Sequence, residues 1–210
     1  MNLGWNLVGN GYYASVDIAT FAPVGASPNI GSIWKWLPAS GQWAFYAPGQ
    51  SDGGQAYGTG KGYVFLTTIE PGEGFWINVS APFTARLHAN NPTPIPTAAF
   101  QAGGLALPRG WSLIAVADAP TPREFANGIA DAVPCPGTAI SAPLCPGQVA
   151  ANSLTSMWAW NTSLVGWHFY APNPDNLGTL ASYQNGRGYL AFSGAMSTLG
   201  PTQGFWVNRP

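Results

Sequence analysis

The chain has 210 residues, of which 7 are Lys or Arg and 8 are Asp or Glu, so charged residues make up 7% of it and the net charge is −1. Ordinary soluble domains are about 25% charged, and a chain this poor in cations cannot neutralise a nucleic-acid backbone or be steered to an anionic membrane. The 27 Gly and 20 Pro disfavour long helices, while 46% hydrophobic residues supply a core and exclude intrinsic disorder.

Gly4-Trp5-Asn6-Leu7-Val8 predicts a short opening strand. In Ile33-Trp34-Lys35-Trp36 the alternation puts Trp34 and Trp36 on one face and Ile33 and Lys35 on the other. Pro38, Ser40 and Gly41 supply turn chemistry before Trp43-Ala44-Phe45-Tyr46, where Trp43 and Phe45 share a face. Together these segments read as a hairpin whose inner face is Trp, Trp, Trp, Phe, with Tyr46 turned away from it. The stretch 50–60 is too rich in Gly to assign. A Gly-Tyr strand follows at Lys61-Gly62-Tyr63, then a closing strand at Gly74-Phe75-Trp76-Ile77-Asn78 after the Pro71-Gly72 turn. Phe83 to His88 alternates and predicts a last strand. The alternating prolines of Pro92-Thr93-Pro94-Ile95-Pro96 predict an extended, semi-rigid spacer.

The second half repeats the first. Gly110-Trp111-Ser112-Leu113-Ile114 matches the opening motif at an offset of 106. Met157-Trp158-Ala159-Trp160 and Trp167-His168-Phe169-Tyr170-Ala171-Pro172 match at 124, Gly186-Arg187-Gly188-Tyr189 at 126, and Gly204-Phe205-Trp206-Val207-Asn208 at 130. All 10 tryptophans fall into pairs under this alignment. The rising offset places an insert of 18 residues (124 − 106) between the first two motifs of the second copy, and that insert holds both cysteines. Thr121-Pro122-Arg123-Glu124 reads as a helix start with Pro at the first helical position, and 175–184 as a further short helix ended by Gly186 or Gly188. The expected fold is mainly β, a β-rich α+β chain of two homologous modules of antiparallel strands with short helices. The modules span 1–89 and 99–210, joined by a linker at 90–98.

The succession Gly-Trp-Asn-Leu, Trp-x-Trp, Trp-x-Phe-Tyr-x-Pro, Lys-Gly-Tyr, Pro-Gly-Glu-Gly-Phe-Trp-x-Asn resembles a repeat of secreted and surface proteins from environmental bacteria. The resemblance covers most of both copies. The second departs from it at Arg187, where the first has Lys61, and at Thr202-Gln203, where the first has Gly72-Glu73. It implies an extracellular location and a helix before the Lys-Gly-Tyr segment, hence near 179–183, and carries no activity with it.

Large rings are first of all core material in small modules, and Trp5, Trp34, Trp76 and their partners are expected to be buried. The other reading is a stacking platform for sugars, with Tyr46 and Tyr170 the leading candidates and Trp36 and Trp160 next. Cys135 and Cys145 stand in two Cys-Pro-Gly turns. Zinc needs four ligands, and only His88 and His168 remain to help. A local disulfide, worth roughly 2–3 kcal/mol in the loop-entropy model, is the expectation and places the chain outside the cytosol. No signal peptide opens the sequence, so that location requires one to have been removed. His168 is expected on the outer face of its hairpin, as a bystander.

No nucleophile-elbow, zinc-protease or phosphate-loop pattern occurs. Glu70, Glu73, Asp118, Glu124, Asp131 and Asp175 could pair for glycoside hydrolysis, but Gly200 and Gln203 replace Glu70 and Glu73 in the second copy. Asp52 and Asp175-Asn176 are fragments of a calcium site at most. No enzyme activity, cofactor, metal, nucleic-acid partner or membrane insertion is expected. The leading expectation is an extracellular structural or adhesive protein acting through self-association or contact with another protein or surface. The alternative is a pair of carbohydrate-binding modules.

Overall fold

The computed structural model describes residues 1–90, 92–101, 104–129 and 154–210. Among these residues strand makes up 31% and helix 21%, a mixed α+β, strand-rich structure with several mostly antiparallel sheets. The first half runs β1 (Gly4–Gly9), β2 (Val16–Asp17), α1 (Ile18–Phe21), β3 (Ile30–Leu37), β4 (Gln42–Tyr46), α2 (Gln55–Gly60), β5 (Val64–Phe65), β6 (Thr68–Ile69) and β7 (Gly74–Val79). Its main sheet has the order β1-β7-β3-β4-β5, antiparallel except for the β4–β5 edge.

The second half runs β8 (Gly110–Ile114), α3 (Pro122–Ile129), β9 (Ser156–Asn161), β10 (Gly166–Tyr170), α4 (Pro172–Asn176), α5 (Leu180–Arg187) and β11 (Phe205–Arg209). Its sheet order, β8-β11-β9-β10, repeats the succession β1-β7-β3-β4. Where β5 pairs parallel with β4, Leu190 makes a parallel bridge to His168.

Local chemistry explains the helices. Thr121 and Glu124 form a reciprocal capping box, Thr121 N–H donating to Glu124 Oε2 at 2.8 Å and Glu124 N–H to Thr121 Oγ1 at 3.2 Å. Pro122 takes the first turn of α3, as its spacing predicted. The expected helix over 175–184 is instead two: α4 stops before Gly178, whose φ is +69°, and α5 resumes at Leu180 and ends on left-handed Gly188. Helix α2 forms despite its glycines because it lies tight on β4. A Cβ on Gly54 would come within 2.8 Å of the Phe45 ring. The Asp52 carboxylate caps α2 by accepting from Gly54 and Ala56 N–H at 2.9 and 2.8 Å.

Each half has its own apolar cluster. Ile33, Tyr46, Phe75 and Ile77 belong to the first, and Met157, Tyr170, Phe205 and Val207, which stand at the aligned sequence positions, to the second. Complete burial of such a side chain contributes about 1.5–3 kcal/mol. The expected inner face of the hairpin is therefore reversed. Trp34, Trp36, Trp43 and Phe45 do share a face, but Ile33, Lys35, Ala44 and Tyr46 point into the core.

The segment 83–88 forms no ladder. Phe83 exchanges backbone hydrogen bonds with Met1, and Phe83 and Leu87 pack on the first cluster from an irregular chain. Nor do the prolines make a free spacer. Tyr13 N–H donates to Thr93, Ile95 N–H to Gly11 and Ala117 N–H to Ile95, and Ile95 is wholly buried in the second cluster. One apolar side chain among the prolines is enough to dock the strand.

Candidate functional site

The two sheets meet through contacts that come in matched pairs, each residue repeating across the junction the contact its counterpart makes. Gly9 N–H donates to Thr202 at 3.0 Å, and Ala115 N–H to Gly72 at 2.9 Å. Val8 bridges Gln203 as Ile114 bridges Glu73. Trp36 Nε1 donates to the Trp111 carbonyl at 2.9 Å, and Trp160 Nε1 to the Trp5 carbonyl at 3.0 Å. Such reciprocity is the signature of a two-fold, self-complementary interface.

The hairpin β3–β4 thus reaches over β8 and β11, and the hairpin β9–β10 over β1 and β7. Trp206 receives Trp36 and Trp43 at ring-centroid distances of 6.4 and 5.9 Å. Trp76 receives Trp160 and Trp167 at 6.1 and 5.8 Å. Most of these rings meet edge to face, the arrangement their quadrupoles prefer.

Two clefts of about 520 Å³ each lie open between the rings. The first is walled by Trp5, Trp34, Trp43, Tyr63 and Trp76, and closed by Trp160 and Trp167 from the other half. The second is walled by Trp111, Trp158, Trp167, Tyr189 and Trp206, and closed by Trp36 and Trp43. Every tryptophan of the chain lines one or both. None is buried: eight are partly exposed, and Trp5 and Trp111 are each 43% exposed. The expectation that Trp5, Trp34 and Trp76 form cores is overturned, because aliphatic, Phe and Tyr side chains fill the opposite face of each sheet.

Trp34 and Trp158 donate their indole N–H to Ser32 and Ser156 at 2.9 and 3.0 Å. Trp36 and Trp160 satisfy theirs across the junction. The indole N–H groups of Trp5, Trp43, Trp76, Trp111, Trp167 and Trp206 make no hydrogen bond among the described residues. No ionisable group other than the Tyr63 and Tyr189 phenols lines either cleft among those residues.

Of the four residues singled out for sugar stacking, Trp36 and Trp160 stand in opposite clefts. Tyr46 and Tyr170 do not: they are 2% and 6% exposed, on the core face. Tyr46 Oη donates to the Ala22 carbonyl at 2.7 Å. Tyr170 Oη donates to Asp175 Oδ2 at 2.9 Å, and burial followed by the Asp175 charge pushes its phenol far up. The error has one source, the reversed hairpin, since alternation tells which side chains share a face but not which face is covered.

The remaining candidates are engaged elsewhere. Asp175 also accepts from Arg123 Nε at 2.6 Å, so its carboxylate serves an ion pair with little solvent. Glu73 pairs with Lys35 at 2.7 Å, Glu70 accepts from Ser15 at 2.6 Å, and Asp118 and Glu124 cap backbone at Thr97 and Thr121. His168 is not an exposed bystander but 4% exposed, donating from Nδ1 to Ala191 and accepting from Asn161 at Nε2. Cys135, Cys145 and Asp131 lie outside the described residues. Among the described residues no group of three His, Cys, Asp or Glu is placed to hold a metal, and no helix is long and apolar enough to cross a membrane. Comparison of the chain with family models, with curated proteins and with solved structures finds no match.

Proposed function

We propose that the protein is a non-enzymatic adhesive protein of the extracellular space, built from two copies of one module, that grips a partner protein through the aromatic face the two halves build together. The observation that supports this most is that all the tryptophans stand partly exposed around two open clefts. An exposed apolar surface of that kind marks interaction sites, and aromatic rings dominate protein interfaces. The low charge and the two Cys-Pro-Gly sequences support the extracellular placement. Light scattering over a wide concentration range, alongside acrylamide quenching of tryptophan fluorescence, tests the reading. Ready quenching with monomers at every concentration assigns the face to a different protein, and concentration-dependent oligomers in which quenching falls assign it to a second copy. Fluorescence that resists quenching in the monomer defeats the proposal.

Sugar stacking on the same rings is the second reading, favoured by the placement of Trp36 and Trp160 in opposite clefts. Retention on an insoluble neutral polysaccharide, lost in Trp36→Ala/Trp160→Ala with the fold intact, would establish it.

A further inference from the structure

We propose that each cleft takes a proline-rich segment of a partner protein in the extended polyproline II conformation. The assignment rests on the reading of the aromatic face as an adhesive surface, and names what that surface holds.

Hydrogen-bonding capacity distinguishes one uncharged ligand from another. An indole N–H donates and cannot accept. Four of the six indoles around each cleft have no partner for it among the described residues: Trp5, Trp43, Trp76 and Trp167 in the first, and Trp43, Trp111, Trp167 and Trp206 in the second, with Trp43 and Trp167 bordering both, so that six donors serve the two clefts. The side chains offer one acceptor per cleft, the hydroxyl of Tyr63 or Tyr189. The matching ligand therefore presents acceptors and apolar surface but few donors.

A proline-rich chain does this. Proline has no backbone N–H, yet each residue keeps a carbonyl. In polyproline II those carbonyls point outward without internal partners, and the helix is already formed, so little entropy is lost on binding. Sugar hydroxyls, each a donor as well as an acceptor, find only one side-chain acceptor on these walls. The backbone N–H groups of an ordinary extended peptide that face the walls find as few partners. The absence of a lining cation excludes anionic ligands, whose desolvation would go uncompensated. A cationic segment held over the ring faces is told apart by its salt dependence. The volume of about 520 Å³ falls within the roughly 300–1,000 Å³ of pockets that enclose a small ligand. Since the clefts match in residues and size, both take the same segment.

The test is titration of the intact chain with a short oligoproline peptide, followed by tryptophan fluorescence and calorimetry. A peptide of equal length with glycine and serine replacing alternate prolines, and a neutral β-linked glucose oligosaccharide, are the comparisons. Saturable binding with about two oligoprolines per chain is expected. It should be unchanged between low and high salt and weakened about tenfold or more by the glycine-serine replacement. Trp76→Phe keeps a ring but removes one donor, and is expected to weaken one of the two sites while the near-ultraviolet circular dichroism of the other aromatics persists. Oligosaccharide binding in place of oligoproline overturns the proline assignment but leaves the clefts as the site. Failure of both ligands with indoles open to acrylamide also overturns it, whereas indoles closed to acrylamide sink the adhesive reading itself.

Discussion

The Trp36 indole donates to the Trp111 carbonyl at 2.9 Å, reaching from the tip of one hairpin to the edge strand of the other sheet. Its counterpart Trp160 donates to the Trp5 carbonyl at 3.0 Å, but there Thr162 Oγ1 donates to the same oxygen at 2.9 Å. Trp36→Phe should therefore cost about 1 kcal/mol, the usual net value of one hydrogen bond. Trp160→Phe should cost measurably less, because the Trp5 carbonyl keeps a donor. Urea unfolding of the two variants gives the comparison, and equal losses would show that the bonds are not what distinguishes the two contacts.

Close approach at the junction is enforced by glycine. A Cβ on Gly9 would lie 2.6 Å from the Gln203 carbonyl oxygen and would also collide with the Ala115 methyl. Gly9→Ala should destabilise by about 1–3 kcal/mol through overpacking and make the indoles more accessible to acrylamide. Gly49, whose Cβ position meets nothing within 4 Å, provides the control. Gly49→Ala should leave both readings within about 0.5 kcal/mol of the parent or slightly raise stability.

Lys35 points into the first core, 2.7 Å from Glu73 and 2.9 Å from the Thr68 carbonyl. The second half has Ala159 and Gln203 at the matching positions. Lys35→Met, which keeps the stem's volume, should cost about 1–3 kcal/mol. Glu73 is left facing the core, but its partial exposure moderates the loss. Lys35→Met/Glu73→Gln should cost less than the sum of the single changes. A double-mutant cycle by denaturant unfolding measures that difference, and strict additivity would mean the pair contributes nothing.

His88 Nε2–H donates to Asn10 Oδ1 at 2.9 Å, and burial holds the imidazole below its ordinary value of 6.5. The unfolded chain takes up the proton first as pH falls. Stability is therefore full above about pH 6.5 and declines as pH drops through that value towards the lower folded one. Asp17, held below its ordinary 3.8 by hydrogen bonding from Thr20, side chain first and backbone second, adds a separate loss below pH 3.8. Melting temperature against pH should fall in two steps, and His88→Gln should abolish the upper one.

Ser112 Oγ is the one fully buried side-chain polar atom among the described residues without a hydrogen-bond partner. In the first half that position is Asn6, which bonds the Asn2 and Gly4 carbonyls at 2.7 and 3.0 Å. Ser112→Ala should stabilise by about 1 kcal/mol, raising the melting temperature by about 2–4 °C. A lower melting temperature would mean the hydroxyl has a partner such as a buried water.

Much of this protein was legible in its residues. Period-two alternation put Trp34, Trp36, Trp43 and Phe45 on one face, and the spacing of the motifs paired each tryptophan with the one that makes the matching contact. Capping chemistry read Thr121 to Glu124 correctly because a helix start is local, satisfied by atoms three residues apart.

What the sequence by itself determined, then, is the strands that carry the tryptophans, their shared faces and the alignment of the two halves, all carried by short-range backbone geometry. The strands expected at Lys61-Gly62-Tyr63 and at 83–88 do not form, the first being the turn that follows α2. Which face is covered was decided only in the tertiary structure. Alternation is symmetric between the two sides of a sheet, and the side that closes is the one that the rest of the chain, here the α1 segment, Leu66 and Ile69, comes to pack against. The same holds for Ile95, hydrogen-bonded through its backbone to Gly11 and Ala117 and buried in the second cluster, and for Lys35, charged yet inside because it pairs with Glu73. The clefts belong to this second kind of fact. Each needs two rings from the opposite half, and no local pattern in either half encodes their meeting.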